Sequence, residues 1–326
     1  MFLRTFLRRC GALAVTAAAA IGVQPAVAQT GYPERPVRVV VPYPAGGNTD
    51  VIARAVMKEV SARMGQPFVI DNKPGGNSIL GTDMVAKSAP DGYTLLVVIG
   101  AYANNQWLYK SLPYGPNDLT PITQISRTSL VLVSTPQLAV NSMAEFLAAV
   151  RPSGQATYAS SGVGSAAHLL GERFAQAAGF KATHIPYKGT ADAISDLVGG
   201  RVGFMFDAVS AIGPQIRAGK LDALAVTGST RSAQLPGVPT VVELGFPQLV
   251  SYAWAGLLAP ARTPEPIRQR LAAEIAAVLQ SPELKERLAA ISTDAVGSTP
   301  AEFTRFLAEE NRIGAEVIRS AGIRLD

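Results

Sequence analysis

Cysteine and histidine are scarce in this chain, whose 326 residues include one cysteine and two histidines. These residues form no cluster with the spacing of a zinc site, and no Asp-rich loop has the spacing of a calcium site. The sequence also lacks the Gly-x-Ser-x-Gly turn that carries the nucleophile of many hydrolases. These absences argue against a metalloenzyme, and we expect the protein to use neither a metal ion nor another cofactor.

Long hydrophobic runs are missing from all but the start of the chain. Arg4, Arg8 and Arg9 precede an alanine-rich stretch that ends in Ala26-Val27-Ala28, which has the small-x-small pattern of a signal-peptide cleavage site. We therefore expect residues 1–28 to be a secretory signal peptide. After residue 28, no apolar run reaches the roughly 18 residues that a membrane-spanning helix needs.

A strong excess of charge of one sign is also missing from the expected mature chain. The whole chain has 29 basic and 24 acidic residues, and cleavage after Ala28 removes three of the arginines together with Cys10. The remaining net charge of roughly +2 gives no reason to expect a nucleic-acid surface. With 48% hydrophobic residues, the chain is also too apolar to be disordered as a whole.

Two strand–loop–helix segments with loops poor in side chains are the most informative feature that is present. In the first, the β-branched run Arg38–Val41 leads through Pro42–Gly47 into a helical pattern that starts near Thr49. The second segment is Tyr158–Ser165. The first N–H groups of a helix have no partner within the helix and lie at the positive end of its dipole. Two such loops therefore predict a small anion held between two halves of the protein.

Strands and helices alternate along the chain, which predicts parallel βαβ units and the α/β class. The alternation occurs in two series, which indicates two lobes with a cleft between them. We place lobe 1 at residues 29–130 plus 250–326 and lobe 2 at residues 131–249. The predicted strands are Arg38–Val41, Phe68–Ile70, Thr94–Ile99, Leu130–Val133, Ala156–Ala159, His184–Tyr187, Val202–Phe206 and Leu224–Val226.

Three polar residues near the predicted strand ends allow more than one role. His168 either lines the cleft or acts as a base beside a serine, as in a secreted hydrolase. Tyr187 suits a ligand contact or a contact between the lobes. Asp207 either accepts a hydrogen bond from a ligand or caps the turn into the next helix. The run Gly162–Ala167 fits a dinucleotide fingerprint, but export of the chain argues against a nucleotide cofactor.

Several motifs run in the same order as in a known family of exported receptors. They are Tyr32-Pro33, Arg38-Val39-Val40-Val41-Pro42-Tyr43-Pro44-Ala45-Gly46-Gly47, Ala89-Pro90-Asp91-Gly92-Tyr93-Thr94, Tyr158-Ala159-Ser160-Ser161-Gly162, Pro186-Tyr187-Lys188-Gly189, Met205-Phe206-Asp207, Ala223-Leu224-Ala225-Val226-Thr227, Val238-Pro239-Thr240-Val241 and Gly256-Leu257-Leu258-Ala259-Pro260. Through these motifs the chain resembles the Bug family, the solute receptors of tripartite tricarboxylate transporters. The resemblance covers essentially the whole mature chain.

This resemblance implies a two-lobed, type II-like periplasmic binding protein with its ligand cleft between the lobes. Such a receptor captures a small organic (di)carboxylate in the periplasm and passes it to membrane transport subunits. It implies a monomer that binds no nucleic acid and is not an enzyme. A receptor that acts on a signalling partner is the alternative that the sequence leaves open.

The resemblance also implies which residues contact the ligand, because family members hold a carboxylate with loop N–H groups and water rather than with an arginine. Carried over motif by motif, the contacts in one lobe are Tyr43, Ala45, Gly46, Gly47 and Asp50. Those in the other lobe are Ser160, Ser161, Gly164, Ser165, His168, Tyr187 and Asp207.

One segment departs from the family pattern. After Val97–Gly100 the family usually has small residues and a histidine, whereas this chain continues Ala101-Tyr102-Ala103-Asn104. We therefore add Tyr102 and Asn104 as candidates at the distal end of the ligand. Our hypothesis is that these two side chains, with Tyr187 and Asp207, decide which acid is preferred.

The signal-peptide assignment gives a first testable prediction. Because small residues occupy both ends of Ala26-Val27-Ala28, the mature chain is expected to begin at Gln29. Intact-mass measurement of protein from a periplasmic fraction checks this. A full-length product that stays with the membrane fraction would show the assignment to be wrong.

Overall fold

The fold is described by a computed structural model that covers residues 31–153 and 156–325. The predicted signal peptide lies outside these residues. No helix in the described part is long and apolar enough to span a membrane.

Ten strands and ten α-helices make up the described chain. The strands are β1 (Val37–Val41), β2 (Phe68–Asn72), β3 (Thr94–Val98), β4 (Leu119–Ser134), β5 (Ala156–Ser160), β6 (Ala182–Pro186), β7 (Phe204–Ala208), β8 (Asp222–Val226), β9 (Tyr252–Pro260) and β10 (Asp294–Ala295). The helices are α1 (Asn48–Met64), α2 (Ile79–Ala86), α3 (Gly100–Leu108), α4 (Met143–Ser153), α5 (Ala166–Ala178), α6 (Thr190–Val198), α7 (Val209–Arg217), α8 (Glu265–Leu279), α9 (Pro282–Ala290) and α10 (Pro300–Ser320).

Strand pairing divides the structure into two groups of strands that share β4. The order is β2-β1-β3-β9-β4-β7-β5-β6, and β8 and β10 also pair with β4. Leu119–Ser129 of β4 pairs with β9, whereas Leu130–Ser134 pairs with β7 and β8. We call the strands on the β9 side the first sheet and those on the β7 side the second sheet. The lobe boundaries given above stay predictions.

Each sheet contains the parallel βαβ arrangement that the sequence predicts. In the first sheet β1 pairs in parallel with β2 and β3, and in the second β5 pairs in parallel with β6 and β7. Strands β4 and β9 pair antiparallel with their neighbours. The α/β class is confirmed. Because β1 and β3 run in parallel, the loops that follow them lie at the same edge of the first sheet. The loop after β5 lies at the corresponding edge of the second sheet. The carboxyl ends of parallel strands are where α/β proteins bind ligands.

Strand β1 shows why a continuous apolar run was needed at this place. Val39 packs in one core with helix α1, whereas its neighbour Val40 packs in another core on the opposite face. A strand covered on both faces is largely apolar, and the exception in β1 is the half-buried Arg38, which donates to Asp71 at 2.7 Å. Helix α1 contributes Ile52, Val56 and Val60, the stripe expected from their helical spacing.

A separate core joins helices that follow strands of different sheets. Leu108 ends α3, Leu169 lies on α5, and Val317 and Ile318 lie on α10, and all four side chains are buried in one cluster. Helix α10 therefore packs against helices of both sheets. Its N-terminus is fixed by a capping box in which Thr299 and Glu302 exchange hydrogen bonds.

The packing of α10 on β9 gives a stability prediction. A Cβ atom on Gly256 would lie 2.0 Å from the Cζ atom of Phe303, whose side chain is fully buried. Gly256→Ala is therefore expected to lower the free energy of unfolding by about 1–3 kcal/mol, since overpacking displaces a fixed ring. Urea unfolding measures the difference. Gly237→Ala is the matched control, because a Cβ atom there meets no atom within 4 Å. Equal stability of the two variants would contradict the prediction.

Candidate functional site

The loop after β1 has a backbone shape that requires glycine and is held by the first turn of α1. Gly46 has a φ of +81°, in the left-handed region that other residues rarely adopt. Its N–H donates a hydrogen bond of 2.9 Å to the Oδ2 atom of Asp50, a side chain only 2% exposed. The carboxylate of Asp50 thus holds the loop in place.

Two further side chains hold Asp50, and neither was among the sequence candidates. The Nε atom of Arg54 donates to Oδ2 of Asp50 at 2.9 Å, and the Nδ2 atom of Asn72 donates to Oδ1 at 2.9 Å. The guanidinium of Arg54, chiefly, lowers the pKa of Asp50 to about 2. Asn72 also donates to the carbonyl of Tyr43 at 3.1 Å. Because both carboxylate oxygens are occupied, Asp50 supports the loop rather than offering a free group.

The N-terminus of α1 remains open above this support. Its N-cap is Gly47, which supplies no side-chain cap, and Gly47 and Asn48 are exposed. Ala45 is exposed as well. The first N–H groups of α1 are therefore accessible, with the positive end of the helix dipole behind them.

The loop after β5 has a second support, built on a buried serine. The Oγ atom of Ser160 lies 2.6 Å from the Nε2 atom of His184 and accepts a hydrogen bond from the N–H of Gly162 at 3.2 Å. Gly162 and Gly164 have φ values of +139° and +78°. Ser165 begins α5 as its N-cap and accepts from the N–H of His168. The exposed residue of this loop is Ser161.

Both histidines of the chain stack beneath the same loop. The rings of His168 and His184 lie 3.6 Å apart and are nearly parallel. Burial, above all, lowers the pKa of His168 to about 3 and that of His184 to about 4. The Nδ1 atom of His168 accepts the N–H of Gly164 at 3.0 Å, which places the ring proton on Nε2. Two neutral rings therefore support the loop.

His184 was missed by the sequence analysis. It lies on β6, in register with Tyr158 of β5, whose ring stacks on it at 4.9 Å. The available signal was its rarity, since it is one of only two histidines in 326 residues. Its pairing with Ser160 joins neighbouring parallel strands, and sequence spacing alone does not give the register of such strands.

The Ser160–His184 pair does not have the form of a hydrolase nucleophile. Ser160 is fully buried, and an attacking hydroxyl must reach its substrate. Its Oγ atom also lies within hydrogen-bond distance of the Gly162 carbonyl, at 3.0 Å. In the described part of the chain, no carboxylate is hydrogen-bonded to the ring of His184. The pair therefore acts as a support for the loop.

Tyr187 and Asp207 already have partners within the second sheet and its helices. The hydroxyl of Tyr187 donates to Asp196 at 2.6 Å, and burial raises its pKa to about 12. Asp207 accepts from the hydroxyl of Thr190 at 2.7 Å and from the N–H of Ala208 at 2.7 Å. Burial raises the pKa of Asp207. Asp207 therefore has partners of its own, although it does not cap α7, whose N-cap Ala208 has no side-chain cap. Its contact with a ligand stays a prediction.

Tyr102 and Asn104 lie on different faces of α3, because residues two apart on a helix point about 200° apart. Tyr102 lines a cavity of about 650 Å³ between α3, the segment that follows it, and α10. Asn104 instead donates from Nδ2 to the carbonyl of Gly164 at 3.0 Å. The structure therefore brings Asn104, but not the ring of Tyr102, against the loop after β5.

Three buried hydroxyl groups near the loop after β1 have no hydrogen-bond partner among the described residues. They belong to Tyr43, Ser78 and Tyr114. Burial raises the pKa of Tyr43. Of these residues the sequence analysis named only Tyr43. Unpaired buried hydroxyls are costly unless a water molecule or a ligand pairs with them.

With this geometry in hand, comparison with known proteins identifies the family. A profile described as the tripartite tricarboxylate transporter family receptor matches residues 52–323. The chain belongs to this receptor family. Protein BugT of Bordetella pertussis is 38% identical to this receptor over 312 residues, which cover 94% of this chain and 95% of BugT.

Solved structures agree with the family assignment. The periplasmic binding protein BugD matches with a TM-score of 0.76 at 32% identity, covering 90% of this chain and 99% of BugD. Rpa4515 of R. palustris, solved with adipate, has a TM-score of 0.79 at 34% identity and coverages of 90% and 99%. MatC from Rhodopseudomonas palustris, solved with malate, has a TM-score of 0.75 at 31% identity and coverages of 88% and 100%.

These matches decide between the alternatives for fold and activity. The predicted two-lobed periplasmic binding protein fold is confirmed. The protein is a solute-binding receptor and not an enzyme, so the secreted-hydrolase alternative was wrong. The individual ligand contacts stay predictions.

The buried His168 predicts how stability depends on pH. The pKa of His168 is about 3 in the folded protein, whereas that of an unperturbed histidine is about 6.5. Between these two pH values, unfolding therefore takes up a proton. The stability that the folded protein gains from keeping His168 neutral is complete above pH 6.5 and is lost as the pH falls toward about 3. At pH 5 the loss from His168 is up to about 2 kcal/mol.

His168→Gln removes this titration and leaves the other ionisable groups in place. The difference in unfolding free energy between pH 7 and pH 5, measured by urea titration, is therefore expected to be smaller in His168→Gln than in the wild type. If the unfolding free energy changed by the same amount between pH 7 and pH 5 in both proteins, His168 would not titrate in this way.

Proposed function

We propose that this receptor binds a small organic dicarboxylate through main-chain N–H groups of the loops after β1 and β5. The observation that carries the proposal is the open N-terminus of α1 at Gly47, set in a loop whose shape is fixed from beneath by Asp50. Helix N-termini bind carboxylates through these free N–H groups. Relatives solved with adipate and with malate support the same ligand class.

The charge next to the first loop favours main-chain recognition over an arginine clamp. Arg54 donates from Nε to Asp50 at 2.9 Å and from Nη2 to the Oδ1 atom of Asn72 at 2.8 Å. Its charge is therefore balanced by Asp50 within the loop support. A bound carboxylate would interact with N–H dipoles that need no counter-charge and whose positions are already fixed.

The second loop offers the same kind of donor. Ser161 is exposed, and Ser165 lies at the start of α5 with its hydroxyl directed to the helix. We propose that N–H groups around these two residues bind the ligand from the second sheet. The unpaired hydroxyls of Tyr43, Ser78 and Tyr114 are candidates for polar groups farther along the ligand.

We further propose that the receptor works as a monomer in the periplasm and passes its ligand to the membrane subunits of its transporter. Membership of the receptor family and the expected signal peptide at residues 1–28 support this role. Loss of ligand uptake in cells that lack the gene would support it. A retained uptake with a lost transcriptional response to the acid would favour the sensing alternative.

A valine at position 47 tests the site. Gly47 has φ −71° and ψ 163°, an extended conformation that valine adopts readily, so the fold is expected to survive Gly47→Val. The branched side chain would cover the N–H groups of α1. A carboxylate at about 100 times its dissociation constant stabilises a receptor by about 2.7 kcal/mol. We expect adipate or malate to raise the melting temperature of the wild type but not of Gly47→Val.

Gly237→Val controls for the added side chain, since position 237 is open to solvent space. It should respond to the acid as the wild type does. Circular dichroism establishes that each variant is folded. An undiminished ligand response in Gly47→Val would place the carboxylate elsewhere.

A further inference from the structure

Gly164 is held through both of its backbone polar groups by side chains from different parts of the fold. Its N–H donates to the Nδ1 atom of His168 on α5 at 3.0 Å. Its carbonyl accepts from the Nδ2 atom of Asn104 on α3 at 3.0 Å. Helix α3 follows β3 of the first sheet, whereas Gly164 follows β5 of the second. The Asn104 amide therefore links the loop of one sheet to a helix of the other.

The contact is tight on every side. Asn104 is 5% exposed, and a Cβ atom on Gly164 would lie 2.3 Å from the Cδ1 atom of Leu108, one turn farther along α3. On the other side, a Cβ atom on Gly314 of α10 would lie 2.3 Å from the Oδ1 atom of Asn104. The amide has room only because residue 314 is glycine, and the loop can approach Leu108 of α3 only because residue 164 is glycine.

We propose that Asn104 is a positioning residue, which holds the loop 161–165 in the conformation that presents its remaining N–H groups to the ligand. This proposal rests on the carboxylate-binding role proposed above. It replaces the hypothesis that Asn104 selects among acids. Because the Gly164 carbonyl occupies the Nδ2 group, loss of the amide acts on the loop, and thus on every acid by a similar factor.

The neighbouring residue of α3 provides a matched control. Asn105 is fully buried and donates from its own Nδ2 atom to the carbonyl of Asn77 at 2.8 Å. The two asparagines are therefore alike in helix and burial, but Asn105 contacts the loop between β2 and α2, where its Oδ1 atom also accepts from the Nδ2 atom of Asn77 at 2.8 Å. Replacing either residue by alanine removes one buried amide, and only Asn104→Ala frees the loop 161–165.

Hydrogen exchange without ligand tests whether Asn104 holds the loop 161–165. Asn104→Ala is expected to speed exchange of the hydrogen-bonded loop amides, those of Gly162, Gly164 and Ser165, at least tenfold and to leave residues 75–79 at the wild-type rate. Asn105→Ala is expected to do the reverse. Wild-type exchange of residues 161–166 in Asn104→Ala would overturn the proposal.

Calorimetry with adipate and with malate tests the effect on binding. Asn104→Ala is expected to weaken both acids by the same factor, about tenfold, as for loss of one buried hydrogen bond. Asn104→Asp keeps the size of the side chain but puts an oxygen against the Gly164 carbonyl. The affinity for both acids should therefore fall at least as much as in Asn104→Ala. A changed rank order of the acids, or wild-type affinity despite faster loop exchange, would overturn the positioning role.

Gly314→Ala tests the same contact from α10, away from the loops. The new methyl group would lie 2.3 Å from the Oδ1 atom of Asn104, so it displaces the amide and should weaken both acids. Circular dichroism establishes that the variant is folded. Wild-type affinity in this variant would contradict the proposal. If the wild type binds neither acid, the ligand class proposed above fails, and exchange in residues 161–166 alone decides whether Asn104 holds the loop.

Discussion

A helix N-terminus is available to an anion only while its first N–H groups remain unpaired, and in water such groups readily find other partners. In this receptor the loops that lead into α1 and α5 are therefore fixed by side chains buried beneath them. Asp50 holds the first loop, and Ser160 and His168 hold the second. Glycine at the left-handed positions lets the backbone follow these supports.

The supports differ in charge. Beneath the first loop the carboxylate of Asp50 is balanced by Arg54, and the pKa of Asp50 is low because that cation is adjacent. Beneath the second loop the stacked rings of His168 and His184 are neutral, because burial lowers the pKa of both. Neither support leaves an uncompensated charge near the loops. The proposed anion would then meet oriented dipoles, which suits capture and release better than a buried ion pair would.

The two loops belong to different sheets, so their relation depends on the segments that take part in both. Strand β4 pairs with β9 along one part and with β7 and β8 along the other. Helix α10 shares a core with Leu108 of α3 and Leu169 of α5. The Asn104 amide adds a polar contact between the same regions. These connections hold the loops within one compact unit.

Local sequence pattern predicted most helices and strands, the α/β class and the glycine loops of this receptor, because β-branched runs, helical spacing and left-handed glycines act within a few residues. It also located Gly47 and Ser165 at helix starts. It did not predict β9 or the part of β4 that precedes Leu130. The partners of the polar side chains were decided by the tertiary structure. Asp50 meets Asn72 because α1 begins beside the end of β2, and Ser160 meets His184 through the register of parallel strands. Asn104 reaches Gly164 because α3 and the loop after β5 pack together. Such contacts join residues far apart in sequence, so no short motif encodes them.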